Sequence, residues 1–182
     1  MRLGTFELVP HPDHPPLAVS RIEARIIGHD ANWLQVRWRI DGSERVIVPP
    51  FAGKGRADGL WQATCFEVFL RTPGEDSYVE LNLSPSERWA AYDLSGYRSG
   101  MVARPMPRDP SCTLRLGGRT MIFDAAIPVA GLPPCPWQAA LTAVIVEDWG
   151  RTSYWALAHA PGKADFHHPA CFALSVAAPG AA

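Results

Sequence analysis

Two short segments, residues 61–70 and 78–84, carry the side chains of this sequence that are best suited to chemistry. Both segments alternate apolar residues with others, and side chains repeat every two residues along a β-strand. As strands, they share one apolar face, formed by Phe66, Val68, Leu70, Val79, Leu81 and Leu83. The opposite face combines carboxylates, an amide and aromatic rings: Trp61, Cys65, Glu67, Phe69, Tyr78, Glu80 and Asn82. This mixture predicts a platform that binds a small polar ligand.

The connecting residues 71–77 contain Pro73-Gly74, which is typical of a hairpin loop, so we expect antiparallel neighbours. Matching the two apolar faces leaves two registers, with Glu67 opposite either Asn82 or Glu80. In both registers the carboxylates are direct or diagonal neighbours. Like charges at that spacing repel unless a cation or ligand hydroxyls lie between them, or one carboxyl group keeps its proton.

Three basic residues are candidate counter-charges for these carboxylates: Arg88, Arg98 and Lys163. If both carboxylates are paired with them, the alternative interpretation is an ordinary salt-bridged outer face of the sheet, because charged residues on strands are usually solvated. The pattern alone does not choose between this face and a ligand platform.

Residues 159–169, HAPGKADFHHP, contain half of the six histidines of the chain. As a loop beside the sheet, this segment could bring Lys163, Asp165, His167 and His168 to a ligand, since binding groups commonly lie on loops held by a rigid scaffold. Adjacent histidines tend to point apart and zinc-ligand spacing is absent, so we predict no metal site. Alternatively, Asp165 and the imidazoles only tie the loop down through backbone hydrogen bonds.

Turn-forming residues occur throughout the chain, with 18 prolines and 15 glycines, which favours short strands over helices. The candidate strand segments are 21–27, 34–40, 46–48, 61–70, 78–84, 89–94, 113–116, 119–127, 139–147, 153–158 and 171–176. A helix is an alternative for 85–91 only; 136–143 is better interpreted as the entry to a strand. About nine or ten turn-separated strands predict an all-β fold, a two-sheet antiparallel β-sandwich.

Length and composition predict one domain over 1–182 with a core at about 20–176. The 17 basic and 18 acidic residues form no block, so we expect no nucleic-acid partner. No apolar stretch approaches the roughly 18 residues that span a bilayer, and the amino terminus lacks a signal-peptide pattern, so we expect a cytoplasmic protein without membrane contact. The four cysteines have no C-x-x-C spacing, which predicts free, mostly buried thiols.

Catalytic templates are scarce in this sequence. It contains no G-x-S-x-G elbow, phosphate-binding loop or dinucleotide fingerprint. The pair Glu67 and Glu80 keeps glycoside hydrolysis as an alternative, because glycosidases use two carboxyl groups. We nevertheless expect binding without catalysis, since no deep cleft or acid of raised pKa is identifiable from the sequence.

Several motifs together resemble those of bacterial DOMON-like proteins, which are related to family 9 carbohydrate-binding modules. They are LWxxTCFExF from Leu60, YxExNxSPS from Tyr78, WAxY from Trp89, YRxGM from Tyr97 and KxDFHHP from Lys163. The resemblance covers roughly residues 20–176. It implies a β-sandwich that binds either a sugar or a haem, usually without catalysis.

The two ligands imply different residues. Sugar-binding relatives hold the sugar between two aromatic rings, for which Trp61, Trp89, Trp149 and Trp155 are available. Haem-binding relatives ligate iron with Met and either His or Lys, and here Met101 is accompanied by Lys163, His167 and His168. The resemblance does not choose between the ligands.

Our working hypothesis from the sequence is a domain that binds a small saccharide, with b-type haem binding as the alternative and a glycoside hydrolase as the second. The face of Glu67, Glu80 and Asn82 receives the ligand, Trp61 or Tyr97 offers a ring to the sugar, and Arg98 orients Glu80 or contacts the ligand. The predicted ligand-binding residues are Trp61, Glu67, Tyr78, Glu80, Asn82, Tyr97, Arg98, Lys163, Asp165, His167 and His168. A saccharide-binding domain of this kind requires no cofactor. The oligomeric state stays open.

The position of the histidine-rich loop should separate a binder from a hydrolase. In a hydrolase, Asp165, His167 or His168 should reach Glu67 and Glu80 and close a cleft in which one carboxylic acid stays protonated near neutral pH. In a binding module, the loop borders an open, wet face, and both carboxylates pair with Arg98, Arg88 or Lys163.

Overall fold

The computed structural model describes residues 4–179, which form an all-β fold whose helical residues are confined to short 3-10 turns. The strands are β1 (Thr5–Pro10), β2 (Arg21–His29), β3 (Trp33–Asp41), β4 (Gly55–Arg56), β5 (Cys65–Arg71), β6 (Tyr78–Leu83), β7 (Arg88–Leu94), β8 (Val102–Ala103), β9 (Ser111–Gly117), β10 (Thr120–Pro128), β11 (Trp137–Glu147), β12 (Arg151–Ala156) and β13 (Leu174–Val176). The 3-10 turns are η1 (Ser43–Arg45), η2 (Leu60–Gln62), η3 (Val129–Gly131), η4 (Asp148–Gly150) and η5 (Pro169–Cys171). Within this part of the chain, no helix has the length and apolarity needed to cross a membrane.

The strands form one curled, mixed sheet of 13 strands rather than the predicted two-sheet sandwich of nine or ten. Its order is β4-β7-β6-β5-β11-β12-β1-β2-β3-β10-β9, with β13 beside β11 and β8 beside β7. The prediction of two sheets fails at β1, because Thr5–Leu8 pair with β2 whereas Val9 and Pro10 pair with β12. This single strand makes the sheet continuous.

The strand count differs because three strands were not predicted from the sequence. β4 and β8 contain two residues each, and β1 immediately precedes a proline-rich segment. Conversely, the predicted strand 46–48 is reduced to a single bridge between Val46 and Glu147. Edge strands this short show no periodicity, so their sequences cannot reveal them.

The core lies inside the curl, between the half of the sheet around β3 and β10 and the half around β5 and β6. Phe66 stacks on Phe123 with ring centroids 4.3 Å apart, and Trp38 lies 5.3 Å from Phe66. The predicted alternation is confirmed in β3, where Leu34, Val36, Trp38 and Ile40 are buried. Contacts between the two halves therefore come from residues that alternate with polar ones along each strand.

The hairpin of β5 and β6 adopts one of the two predicted registers. Glu67 lies opposite Asn82, and Phe69 lies opposite Glu80. The predicted apolar face belongs to the core, with Phe66, Val68, Leu70, Val79, Leu81 and Leu83 all buried. The carboxylates are therefore diagonal neighbours on the outer face of the sheet.

That outer face is covered by the end of the chain, which follows β12. Phe166, Cys171 and Phe172 pack with Phe69 and Tyr78 in a second apolar cluster. This cover buries every residue of β6 on both faces. The cysteines are free, as predicted; burial raises the pKa of the Cys112 thiol to about 12 and that of Cys171 to about 11, so both are inert thiols at neutral pH.

Candidate functional site

A cavity of about 670 Å³, the site cavity, opens on the outer face of the sheet between its strands and the loop after β12. Its floor comes from five strands, through Glu67, Glu80, Leu94, Val144 and Tyr154. Its walls come from four loops and comprise His14, Trp61, Arg98, Met101, Lys163, Ala164, Phe166 and His167. Polar groups far apart in the sequence therefore converge in one concave site of the size that holds small ligands.

The two carboxyl groups of the floor are almost completely removed from solvent, with Glu67 3% and Glu80 6% exposed. Burial, together with the nearby charge of Glu80, raises the pKa of Glu67 to about 8, although the Thr142 hydroxyl donates a hydrogen bond to its Oε2 at 3.1 Å. Burial also raises the pKa of Glu80, opposed by the Asn82 amide, which donates to Oε1 at 2.8 Å, and by the charge of Arg98. At pH 7, Glu67 thus keeps its proton, which relieves the repulsion expected from the sequence.

His167 places a neutral imidazole beside Glu80. The backbone N–H of Arg98 donates to the Tyr78 hydroxyl oxygen at 3.3 Å, and that hydroxyl lies 2.8 Å from His167 Nδ1. Because His167 Nδ1 is the one acceptor within reach of the Tyr78 hydroxyl among the described residues, we assign the phenolic proton to this bond and the imidazole proton to Nε2. Burial and the charge of Arg98 lower the pKa of His167 to about 4. Its Nε2 lies 3.8 Å from Glu80 Oε2, so an N–H donor faces the carboxylate across a short gap.

The expected counter-charges bind elsewhere. Arg98 pairs with Asp165, with Nη2 2.7 Å from Oδ1, and the Tyr97 hydroxyl also donates to Asp165. Arg88 donates to the carbonyl of Ala52 at 2.6 Å. In residues 4–179, no Arg or Lys forms a salt bridge with Glu67 or Glu80. The prediction that basic side chains pair both carboxylates is therefore wrong. Glu67 is instead stabilised by its retained proton, and Glu80 by the hydrogen bond from Asn82.

Asp165 holds the loop over the sheet. Besides Arg98 and Tyr97, it accepts the backbone N–H of His167 at 3.0 Å. Burial raises the pKa of Asp165, but hydrogen bonds from Arg98 and Tyr97 outweigh this and leave it below its usual value. Asp165 is thus an ionised anchor that fixes His167 in the cavity wall.

The 11 residues predicted to bind a ligand fall into two groups. Those that line the cavity are Trp61, Glu67, Glu80, Arg98, Lys163 and His167. Those that do not are Tyr78, Asn82, Tyr97, Asp165 and His168. Tyr78, Asn82 and Asp165 each hydrogen-bond a lining residue, and Tyr97 donates to Asp165. His168 instead accepts the N–H of Ala170 at 3.1 Å and caps η5. His167 and His168 therefore point apart, as expected.

Of the four tryptophans considered for an aromatic clamp, Trp61 alone lines this cavity, and it is 52% exposed. Trp89 and Trp155 are buried in the core. Tyr97, the other ring proposed for the sugar, borders a separate depression with His167. Of the rings proposed for the sugar, Trp61 is therefore the one that lines the cavity with the two carboxyl groups.

Three polar residues of the site escaped the sequence analysis: His14, Thr142 and Tyr154. Thr142 had a signal, because it alternates with the core residues of the strand predicted at 139–147. His14 had none, since it lies in a proline-rich segment without periodicity. Long-range folding alone brings it to the site.

The sequence raised two further groups that the cavity could hold, a metal ion and a haem. Among the described residues, no cluster of three or more His, Cys, Asp or Glu is arranged to hold a metal ion. For haem, Met101, Lys163 and His167 all border the cavity. However, two buried carboxyl groups, Glu67 and Glu80, would lie under an apolar ring. These residues fit a haem poorly.

Comparisons with known proteins identify the fold. No family model matches the chain, and no curated protein sequence matches it. A family 9 carbohydrate-binding module of Caldicellulosiruptor kristjanssonii, solved with cellotriose, superimposes with a TM-score of 0.61 over 99% of this chain and 84% of its own, at 11% identity. The chain has the fold of these modules.

Two further structures agree. A proposed carbohydrate-binding protein of Bacteroides uniformis ATCC 8492 has a TM-score of 0.67 and 16% identity, covering 96% of this chain and 86% of its own. A family 9 module of C. kristjanssonii solved with glucose has a TM-score of 0.51 and 12% identity, with coverage of 89% and 78%. At these identities the likeness concerns the fold.

Proposed function

We propose that this protein binds a small saccharide in the site cavity, without catalysing its conversion. The observation that carries the proposal is the buried pair at the floor, a protonated Glu67 beside Glu80, in a cavity that the exposed ring of Trp61 also lines. Few ligands other than a polyol offer hydroxyl groups to such a pair and a C–H face to a ring.

The polar groups of the cavity complement sugar hydroxyls in both directions. Glu67 donates its proton and accepts through its other oxygen, Glu80 accepts, and His167 Nε2–H donates. The 3.8 Å gap between His167 and Glu80 leaves a position where a ligand hydroxyl can bridge the two. The sugars in the structures of similar fold, cellotriose and glucose, support a saccharide as the ligand class.

The test is a saccharide panel measured by thermal shift and then by isothermal titration calorimetry. A ligand that binds only the folded protein raises its melting temperature. Glu80→Gln keeps the acceptor for Asn82 but removes the charge, so we expect binding to weaken about ten- to hundredfold. Trp61→Ala should also weaken binding, through loss of the stacking ring.

The matched control for Glu80→Gln is Glu7→Gln, because Glu7 is an exposed glutamate on β1. Phe51→Ala, another exposed ring outside the cavity, serves for Trp61. Both controls should bind like the wild-type protein. Absence of binding by every saccharide at millimolar concentration, or equal binding by Glu80→Gln, contradicts the proposal.

An acid–base enzyme is the second candidate, favoured by the raised pKa of Glu67 and the approach of His167 to Glu80. These are the features predicted for a hydrolase, and the salt bridges predicted for a binding module are absent among residues 4–179, so an assay for turnover has to separate the two candidates. Release of sugar from oligosaccharides or aryl glycosides, abolished in Glu67→Gln and Glu80→Gln, would establish catalysis. If the wild-type protein releases no more sugar than these variants do, it binds saccharides without cleaving them.

Kinship with the DOMON-like proteins stays a proposal, and with it the haem alternative. Titration with hemin measures haem binding directly, because a protein-bound haem gives a Soret band that responds to its axial ligands. Given the poor fit of the cavity, we expect no Soret shift. A band that appears with the wild-type protein and changes in Met101→Ala would reverse this conclusion.

A further inference from the structure

A second cavity adjoins the site cavity. It measures about 500 Å³, and its lining includes Asp13, Asp148, Trp149, Arg151 and Thr152. His14 and Tyr154 line both cavities, and their rings meet edge to face with centroids 4.8 Å apart. The two cavities therefore border one shared pair of aromatic rings.

One lining residue of this second cavity, Trp149, is unusual in its exposure and its backbone conformation. It lies in the turn between β11 and β12 and, at 83% exposed, is the most exposed large apolar side chain among residues 4–179. Its backbone has φ 60°, in the left-handed region that bulky residues rarely adopt. Packing does not account for a tryptophan here, since the ring is hardly buried, and a strained conformation of this kind points to function.

The exposed ring is nevertheless held in place. The guanidinium of Arg45 lies over it at 5.2 Å from the ring centroid, and Arg45 also approaches Asp148 at 3.9 Å. This contact restrains the ring, which can then serve as a stacking platform that loses less freedom when a ligand binds.

The platform is also fixed relative to the site cavity. Buried Glu147, directly before the turn, accepts backbone N–H groups of Leu17, Ala18 and Val19 at 2.7, 2.6 and 3.0 Å. These residues follow the segment that carries Asp13 and His14. Both sides of the second cavity are thus tied to one buried carboxylate.

We propose that the second cavity is a further sugar subsite, so that the natural ligand is an oligosaccharide. One unit occupies the site cavity, the chain crosses His14 and Tyr154, and a following unit stacks on Trp149 with its hydroxyls near Asp13, Asp148 and Arg151. This inference rests on the proposed saccharide binding. It adds to that proposal the length of the saccharide and the direction in which the saccharide lies.

The test compares mono- and trisaccharides of the same sugars, glucose with cellotriose first, by calorimetry. The variant is Trp149→Gly, because glycine accepts the positive φ and keeps the turn. We expect affinity for the trisaccharide to fall about tenfold, as the loss of one aromatic stacking contact implies, and affinity for the monosaccharide to stay within about twofold. Phe51→Ala is the control for loss of an exposed ring.

The outcomes separate the two proposals. If Glu80→Gln weakens binding of both ligands but Trp149→Gly changes neither, the subsite is absent and saccharide binding stands. If Trp149→Gly weakens mono- and trisaccharide equally, the ring belongs to the first subsite and the inference is wrong. If no mono- or trisaccharide of the panel binds the wild-type protein, both proposals fail.

Discussion

The two faces of β5 and β6 are both buried, yet they differ in what buries them and in what they contain. The inner face packs on the opposite half of the sheet through apolar side chains such as Phe66 and Leu81. The outer face carries Glu67, Glu80 and Asn82 and is covered by a loop that leaves a cavity.

The difference teaches that burial on this sheet serves two ends. On the inner face, the removal of apolar area from water stabilises the fold. On the outer face, burial opposes ionisation, and the raised pKa values of Glu67 and Glu80 measure a cost in stability. A cost confined to one face, beside an open cavity, is typical of functional sites.

Breaking the inner face should have the largest effect. Phe66→Ala removes the ring that stacks on Phe123 and touches Trp38, so we expect a loss of about 3 to 5 kcal/mol in the free energy of unfolding. Urea denaturation followed by tryptophan fluorescence measures it. A loss below about 1 kcal/mol would mean that the two halves of the sheet are not locked at this point.

The outer face should instead give a pH dependence. The folded protein keeps the Glu67 proton up to about pH 8, whereas the unfolded chain loses it near its ordinary pKa of 4.5, so the stability falls as pH rises through this range. His167, lowered to about 4 from 6.5, acts in the opposite direction but only below pH 6.5.

Between pH 6.5 and 8, the wild-type protein should therefore lose about 1.4 kcal/mol of stability for each pH unit in which Glu67 ionises only in the unfolded chain. Glu67→Gln has nothing to ionise and should lose much less. Urea unfolding at several pH values in this window compares them. Parallel curves for the two proteins would show that Glu67 titrates normally.

Tyr78→Phe should have a smaller effect, about 1 kcal/mol, because it leaves His167 Nδ1 and the Arg98 N–H without their partner. Its distinctive result is a changed tautomer of His167. Long-range ¹H–¹⁵N spectra should show the proton on Nε2 in the wild-type protein and a mixture in the variant. A wild-type imidazole protonated on Nδ1 would show that His167 donates to Tyr78 rather than accepting from it.

The smallest effect is expected from Asp165→Asn. The pair with Arg98 is partly exposed, and such pairs contribute about 0.2 to 1 kcal/mol. The loss should be local: amide hydrogen exchange should accelerate at residues 163–168 and stay unchanged in β5 and β6. Equal acceleration in the strands would mean that the loop supports the inner face as well.

The sequence by itself determined most of the longer strands and which side chains share a face. The alternation in 61–70 and 78–84 predicted β5 and β6, the hairpin between them, and the separation of Phe66 and Val68 from Glu67. It placed the start of β5 too early, because Trp61 lies in η2 and the strand begins at Cys65. These features are local, because a strand exposes successive side chains on opposite faces whatever lies beyond it. The same periodicity reduced the register to two choices, of which the fold uses one.

Tertiary structure decided how the two halves of the sheet connect and what surrounds the carboxyl groups. β1 joins both halves because the sheet curls, and its own residues do not indicate that it pairs with two different strands. His167 reaches Tyr78 from 89 residues away, and Arg98 binds Asp165 rather than Glu80. Such contacts depend on where loops lie after folding, which periodicity along a strand does not encode. The burial that keeps Glu67 protonated is therefore a property of the folded chain as a whole.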